Sequence, residues 1–224
     1  MHYFFYRAYS FFYALSDWRK RRFTSAGLLV LVIIACSAGL GLDTRQSTIY
    51  QVFTFTLPLM VLALIFSLFF RARFTVHRKL PKFAMVGEAL NYSLVIHNQT
   101  GKQQKGLLIQ ENLADPRPSL EEFSRAREPG EAQRNAWDRK VVYHRWVWLL
   151  AKKQRARVKE QPLPPLAPHG KEQVKVELLP LRRGYLELPE IFISRPDPLG
   201  LVKSSYRVAS YQRVLILPKR YLLP

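Results

Sequence analysis

The chain of 224 residues holds one cysteine, Cys36. A lone cysteine excludes an internal disulfide and any multi-cysteine zinc or iron–sulfur site within the chain, and it fits a reducing compartment. Histidine is scarce too. His2, His77, His97, His144 and His169 are scattered without paired ligand spacing. There is no G-x-S-x-G elbow, no P-loop and no dinucleotide fingerprint. Glu121 and Glu122 are adjacent, so a helix would point them apart, and they read as a solvated pair rather than an acid–base dyad. His97 reads as a strand-end residue rather than a base. The expectation is a non-enzymatic protein with no cofactor or metal. Acidic residues are few, 16 against 35 basic, and the resulting charge of +19 favours anionic partners: lipid headgroups, nucleic acid or an acidic protein face.

Hydrophobic residues make up 48% of the chain, yet the mean hydropathy is only -0.11, so apolar and charged residues must be segregated. Residues 24–42, "TSAGLLVLVIIACSAGLGL", and 50–70, "YQVFTFTLPLMVLALIFSLFF", contain no charge. A bilayer core takes about 20 apolar residues per helix, which predicts a transmembrane hairpin over 24–70. Arg19, Lys20, Arg21 and Arg22 precede it. Arg71, Arg73, Arg78, Lys79 and Lys82 follow. Cations stay on the cytoplasmic side, which predicts an inner-membrane protein with both termini cytoplasmic and residues 43–49 as a small outer turn. Pro58 should kink the second span. A cleaved leader ending near Cys36 is the alternative for the first. The segment 1–23 opens on "YFFYRAYSFFYAL", dense in Tyr and Phe, which suits an interfacial helix, with a disordered tail as the alternative.

Residues 74–224 hold 27 of the 35 basic and 14 of the 16 acidic residues. Residues 74–77 read as a first strand. Leu90, Tyr92, Leu94 and Ile96 alternate with Asn91, Ser93, Val95 and His97, and "NQTG" at 98–101 closes that strand. Residues 106–112 and 174–181 give further strands. The pattern predicts an immunoglobulin-like β-sandwich. Within "RRGYLELPEIFISRPDPLGL", residues 182–201, Gly184 permits a bend and Leu186 and Leu188 share one face. Pro189 should end the strand or confine it to an edge. Pro196, Pro198 and Gly200 then build a rigid, exposed turn, either structural punctuation or a partner-binding corner.

A basic, proline-rich insertion occupies about 114–170. It reads as loop, with a short helix at 119–127 and a core strand at 141–150 that puts Trp146 and Trp148 on one face. The run Lys152, Lys153, Arg155, Arg157 and Lys159 has three readings: a solvated loop, contact with anionic lipid headgroups, or nucleic-acid binding, the last disfavoured.

Two spans leading into "RFTVHRKLPKFAMVGEALNYSLVIHN", followed later by "RRGYLEL" and "DPLGL", resemble the bacterial membrane proteins grouped as domain of unknown function 58. The markers are Arg78, Leu80, Pro81, Gly87, Glu88 and Asn98, then Arg183, Gly184, Asp197, Pro198, Gly200 and Leu201. The resemblance implies a further von Willebrand factor A-like domain that is absent from these 224 residues, so no adhesion-type metal site is assigned. It also implies partnership with a MoxR-type AAA+ ATPase and a transglutaminase-like membrane protein. The expected role is an adaptor for envelope assembly, whose partner-binding turn comprises Arg183, Gly184, Asp197, Pro198, Gly200 and Leu201. The alternative is a component of an envelope hydrolase or transferase with its active site elsewhere.

Overall fold

Alternation of apolar and polar side chains builds most of the protein, as a computed structural model describing residues 2–40, 48–70 and 72–219 shows. The strands are β1 (Phe74–Lys79), β2 (Phe83–Met85), β3 (Leu90–Asn98), β4 (Leu108–Asn112), β5 (Ala156–Val158), β6 (Gln161–Pro162), β7 (Lys171–Pro180), β8 (Gly184–Pro196) and β9 (Lys203–Leu217). They form two sheets, β1-β3-β7-β5 and β2-β9-β8-β4-β6. All pairings are antiparallel except the short β2–β9 contact. Leu90, Tyr92, Leu94 and Ile96 point inward from β3 and meet Ile109, Leu186, Leu188, Ile191 and Ile193 of the facing sheet in one apolar core. The result is a β-sandwich-like unit, its two layers held by interdigitating inner faces.

One ion pair lies inside that core. Arg78 of β1 meets Glu111 of β4 through Nε–Oε1 at 2.9 Å and Nη2–Oε2 at 2.8 Å, and both side chains are fully buried. Tyr92 donates its hydroxyl to Glu111 at 2.7 Å, and Arg78 also donates to the Ser210 carbonyl. Every polar atom in the group has a partner, as a buried charge requires. Burial, and then the Glu111 charge, push the Tyr92 hydroxyl far above its ordinary range, so it stays protonated. Asn98 closes the β3 turn as its position suggests. Its side chain donates to the carbonyls of Lys102 and Ala167 and accepts from the Thr100 amide and hydroxyl.

Pro189 neither ends β8 nor makes it an edge. β8 is the central strand of the larger sheet and pairs with β9 along its whole length. A register shift between Leu188 and Glu190 absorbs the missing donor. The buried parity changes there, from Leu186 and Leu188 to Ile191 and Ile193, so both halves still face the core.

The helices are α1 (His2–Arg22), α2 (Ser25–Leu40), α3 (Thr48–Leu68), α4 (Leu120–Arg125), α5 (Ala136–Val141) and α6 (Tyr143–Lys153). Among the described residues, α3 is the one helix long and apolar enough to cross a membrane; α2, apolar throughout, has 16 residues. The two pack together. Most of the connection expected at 43–49 lies outside the described residues. Pro58 sits within α3, which continues past it. The helix expected at 119–127 is α4, whose Ser119 and Glu122 form a reciprocal capping box.

The strand expected at 141–150 is a helix, α6. Its buried residues Arg145, Trp146 and Leu149, with Val142 just before them, follow the helical interval rather than the alternating one. Trp146 is buried, whereas Trp148 is only partly buried at the margin of the same cluster and carries Lys152 over its ring at 4.9 Å. The β-branched and aromatic letters suggested a strand; packing against α1 overrides that propensity. Tyr6 and Tyr9 of α1 lie 5.9 Å from the Trp146 ring, and Tyr9 donates to the Val141 carbonyl at 2.9 Å.

Candidate functional site

The turn after β8 is built by one carboxylate. Asp197 accepts from the amides of Leu199 (2.8 Å), Leu201 (2.7 Å) and Val202 (2.6 Å), and its own amide donates to the Val202 carbonyl. Gly200 takes φ +69°, the left-handed conformation the turn needs. The expectation of an exposed corner is corrected in part. Pro198 and Leu199 are exposed, but Asp197 and Leu201 are buried.

What covers the turn is the helix pair. Thr24 donates its hydroxyl to the Gly200 carbonyl at 2.5 Å and its amide to the Leu201 carbonyl at 3.1 Å. The same hydroxyl accepts from the Gly27 amide and so caps the start of α2. Phe23 forms a bridge with Val202. Gly27 lets α2 approach: a Cβ there would lie 1.9 Å from the Leu201 carbonyl oxygen. Leu201 and Val202 are buried against Met60 and Ala63 of α3. Ser204, at the start of β9, donates to the Ser67 carbonyl at 2.5 Å. The turn therefore grips the beginning of one apolar helix and the end of the other. The sequence singled out Asp197, Pro198, Gly200 and Leu201 but missed Thr24, Gly27, Met60 and Ala63. A capping threonine directly before an apolar run, with a glycine three residues on, was the available signal.

Arg183 and Gly184 do not join this cluster. They lie at the opposite end of β8, whose thirteen residues extend roughly 40 Å. There they meet the basic run instead. Arg155 donates to the Arg183 carbonyl at 3.4 Å, and Arg182 donates to the Ala151 carbonyl at 3.3 Å. Arg155, Arg157 and Lys159 are exposed and alternate with Ala156 and Val158 along and beside β5, with Lys152 exposed at the end of α6. Lys153 is set apart from this face: it pairs with Glu122 at 2.5 Å and, with the Ser119 amide, holds that carboxyl below its usual range.

The fold and its joint define a β-sandwich-like protein whose sheets are clamped at one end to a pair of apolar helices and carry a basic surface at the other. No family model matches the chain, and no curated protein does. Among solved structures it is similar to the CARDB domain of a Pyrococcus furiosus protein in complex with di-metal ions, at TM-score 0.33 and 11% identity over 66% of this chain and 96% of that one. A β-glucosidase from Listeria innocua in complex with glucose is similar at TM-score 0.32 and 14% identity, over 68% of this chain and 17% of that one. Likenesses at these scores carry nothing about ligand or activity.

Proposed function

We propose that this protein is a non-enzymatic inner-membrane adaptor. α2 and α3 form the transmembrane hairpin, and the sandwich stands on the cytoplasmic side. The observation that carries the reading is the clamp of Asp197, Gly200 and Leu201 on Thr24, Gly27 and α3, because it holds the sheets in one pose on the anchor. A tether needs no such joint; a protein that presents a surface at a set height and angle does. The basic flanks, Arg19 to Arg22 before α2 and Arg71 to Lys82 after α3, support the cytoplasmic placement.

In this reading only the C-terminal end of α1, beside the joint at Phe23 and Thr24, reaches the interface. Phe5, Tyr6, Tyr9 and Tyr13 pack on the insertion, while Phe4, Phe11, Leu15 and Trp18 form an exposed stripe at helical spacing. The packed face ties the insertion to the helix that leads into α2, and the exposed stripe is a second apolar face. The surface presented to partners is then the distal basic face of Lys152, Arg155, Arg157, Arg182 and Arg183, suited to an acidic protein. Resemblance to domain of unknown function 58 makes a MoxR-type AAA+ ATPase and a transglutaminase-like membrane protein the partners to look for.

The test is co-purification of the full chain from detergent-solubilised membranes. Reversing four charges, with Arg155, Arg157, Arg182 and Arg183 each changed to Glu, should abolish partner recovery while the chain stays in the membrane fraction. Equal recovery by both forms would refute the assignment of this face.

A further inference from the structure

Beside the last turn of α3 opens a cleft of about 480 Å³. Phe66 and Phe69 form its apolar wall. Lys105, in the loop between β3 and β4, and Arg195, near the end of β8, bring two cations to it. Neither cation has an acidic partner among the described residues. The acid closest in the lining, Asp197, spends both its oxygens on three backbone amides. The lining Ser204 spends its hydroxyl proton on Ser67. Arg195 sits over the Phe70 ring, its Cζ 4.7 Å from the centroid, which holds the guanidinium in place.

The lining therefore asks for a compact anion joined to an apolar body. Phe66 belongs to a helix of membrane-spanning length and composition, and Phe69 follows directly on it, so hydrocarbon is the natural neighbour of that wall. We propose that the cleft holds one anionic phospholipid, its phosphate between Lys105 and Arg195 and the first carbons of its chains along Phe66 and Phe69. A volume of this size takes a headgroup and glycerol and leaves the tails in the bilayer. Such a lipid would fill the space beside the Asp197 turn and complete the joint. The inference rests on the reading of α3 as a membrane span.

The experiment is native mass spectrometry of the full chain released from mild detergent with dioleoyl phosphatidylglycerol or dioleoyl phosphatidylcholine. Wild type should retain the anionic lipid roughly tenfold better, the scale expected when two surface cations each favour an anionic lipid. Lys105→Gln with Arg195→Gln should bring retention down to the phosphatidylcholine level. Because Arg195→Gln also disturbs the packing on Phe70, Lys105→Gln alone, in an exposed loop, must lower retention by itself, and Lys105→Arg must keep it. Equal retention of the two lipids, or no effect of Lys105→Gln, overturns the proposal. Displacement of the lipid by millimolar inorganic phosphate overturns it in favour of a free-phosphate site. Extraction of the chain from membranes by alkaline carbonate is a separate result. It would remove the span itself, and the lipid site with it.

Discussion

Arg78 and Gly27 show how single positions decide this structure by opposite means. Arg78 acts through charge. Its guanidinium is the only cation meeting the buried Glu111 carboxylate among the described residues. Arg78→Met should leave that charge unpaired and cost about 3–5 kcal/mol, whereas Arg78→Met with Glu111→Leu should recover most of the loss. Thermal unfolding of the full chain in detergent measures both, and a double variant no better than the single one would show that the pair matters for shape rather than charge. Gly27 acts through absence. A Cβ would collide with the Leu201 carbonyl oxygen, a backbone atom that cannot swing aside. Gly27→Ala should therefore push α2 off the turn, at a cost of about 1–3 kcal/mol typical of overpacking. A disulfide between Thr24→Cys and Val202→Cys, in a background with Cys36→Ser, should form readily in the parent and poorly once Gly27→Ala is added. The sequence offered Arg78 as a marker without a role. Its partner stands thirty-three residues further on, and only the packing of two sheets brings them together.

At the scale of elements, legibility followed distance along the chain. β3 could be read because its inner face, Leu90 to Ile96, is an alternation within a single segment. The continuation of β8 through Pro189 could not, because the bulge that admits the proline is a property of its pairing with β9. α6 was misread for the same reason. Val142, Trp146 and Leu149 bury against Phe123 and against an N-terminal helix more than 130 residues away, as the Tyr9–Val141 hydrogen bond marks. That docking can be tested. Trp146→Ala should cost about 3–5 kcal/mol and expose residues 114–153 to limited proteolysis. Acid should loosen the same unit. Arg145, hydrogen-bonded to Glu131 and to the Phe123 carbonyl, holds the Glu131 carboxyl below its ordinary range. A lowered folded value means that this contribution is present above the unfolded value, about 4.3, and is lost as pH falls through the folded one. Proteolytic cleavage of the insertion should rise below about pH 4, and Glu131→Gln should cleave at neutral pH as the parent does in acid.

At the scale of the molecule, the length of β8 bears on whether the basic run, which the residues alone left as a solvated loop, a headgroup contact or a nucleic-acid site, reaches the bilayer. Lys152, Arg155 and Arg157 looked able to reach anionic headgroups. The strand places them with Arg183, roughly 40 Å from the joint at Pro196. Screening at physiological salt extends about 8 Å, so a face at that height does not feel the leaflet unless the sandwich lies flat. The clamp at Thr24 and Gly27 argues for a fixed pose, and the exposed Lys105 beside α3 stands where a headgroup contact is expected. A fluorophore attached at Arg157→Cys in the full chain, reconstituted in nanodiscs containing headgroup-quencher lipids, should keep its emission. One attached at Lys105→Cys should be quenched strongly. Strong quenching at both positions would mean that the sandwich reclines on the membrane, and the basic face would then be a lipid contact. Quenching at Lys105 alone leaves that face free, and a fixed spacer of strand then sets how far from the bilayer an acidic partner must be to engage it.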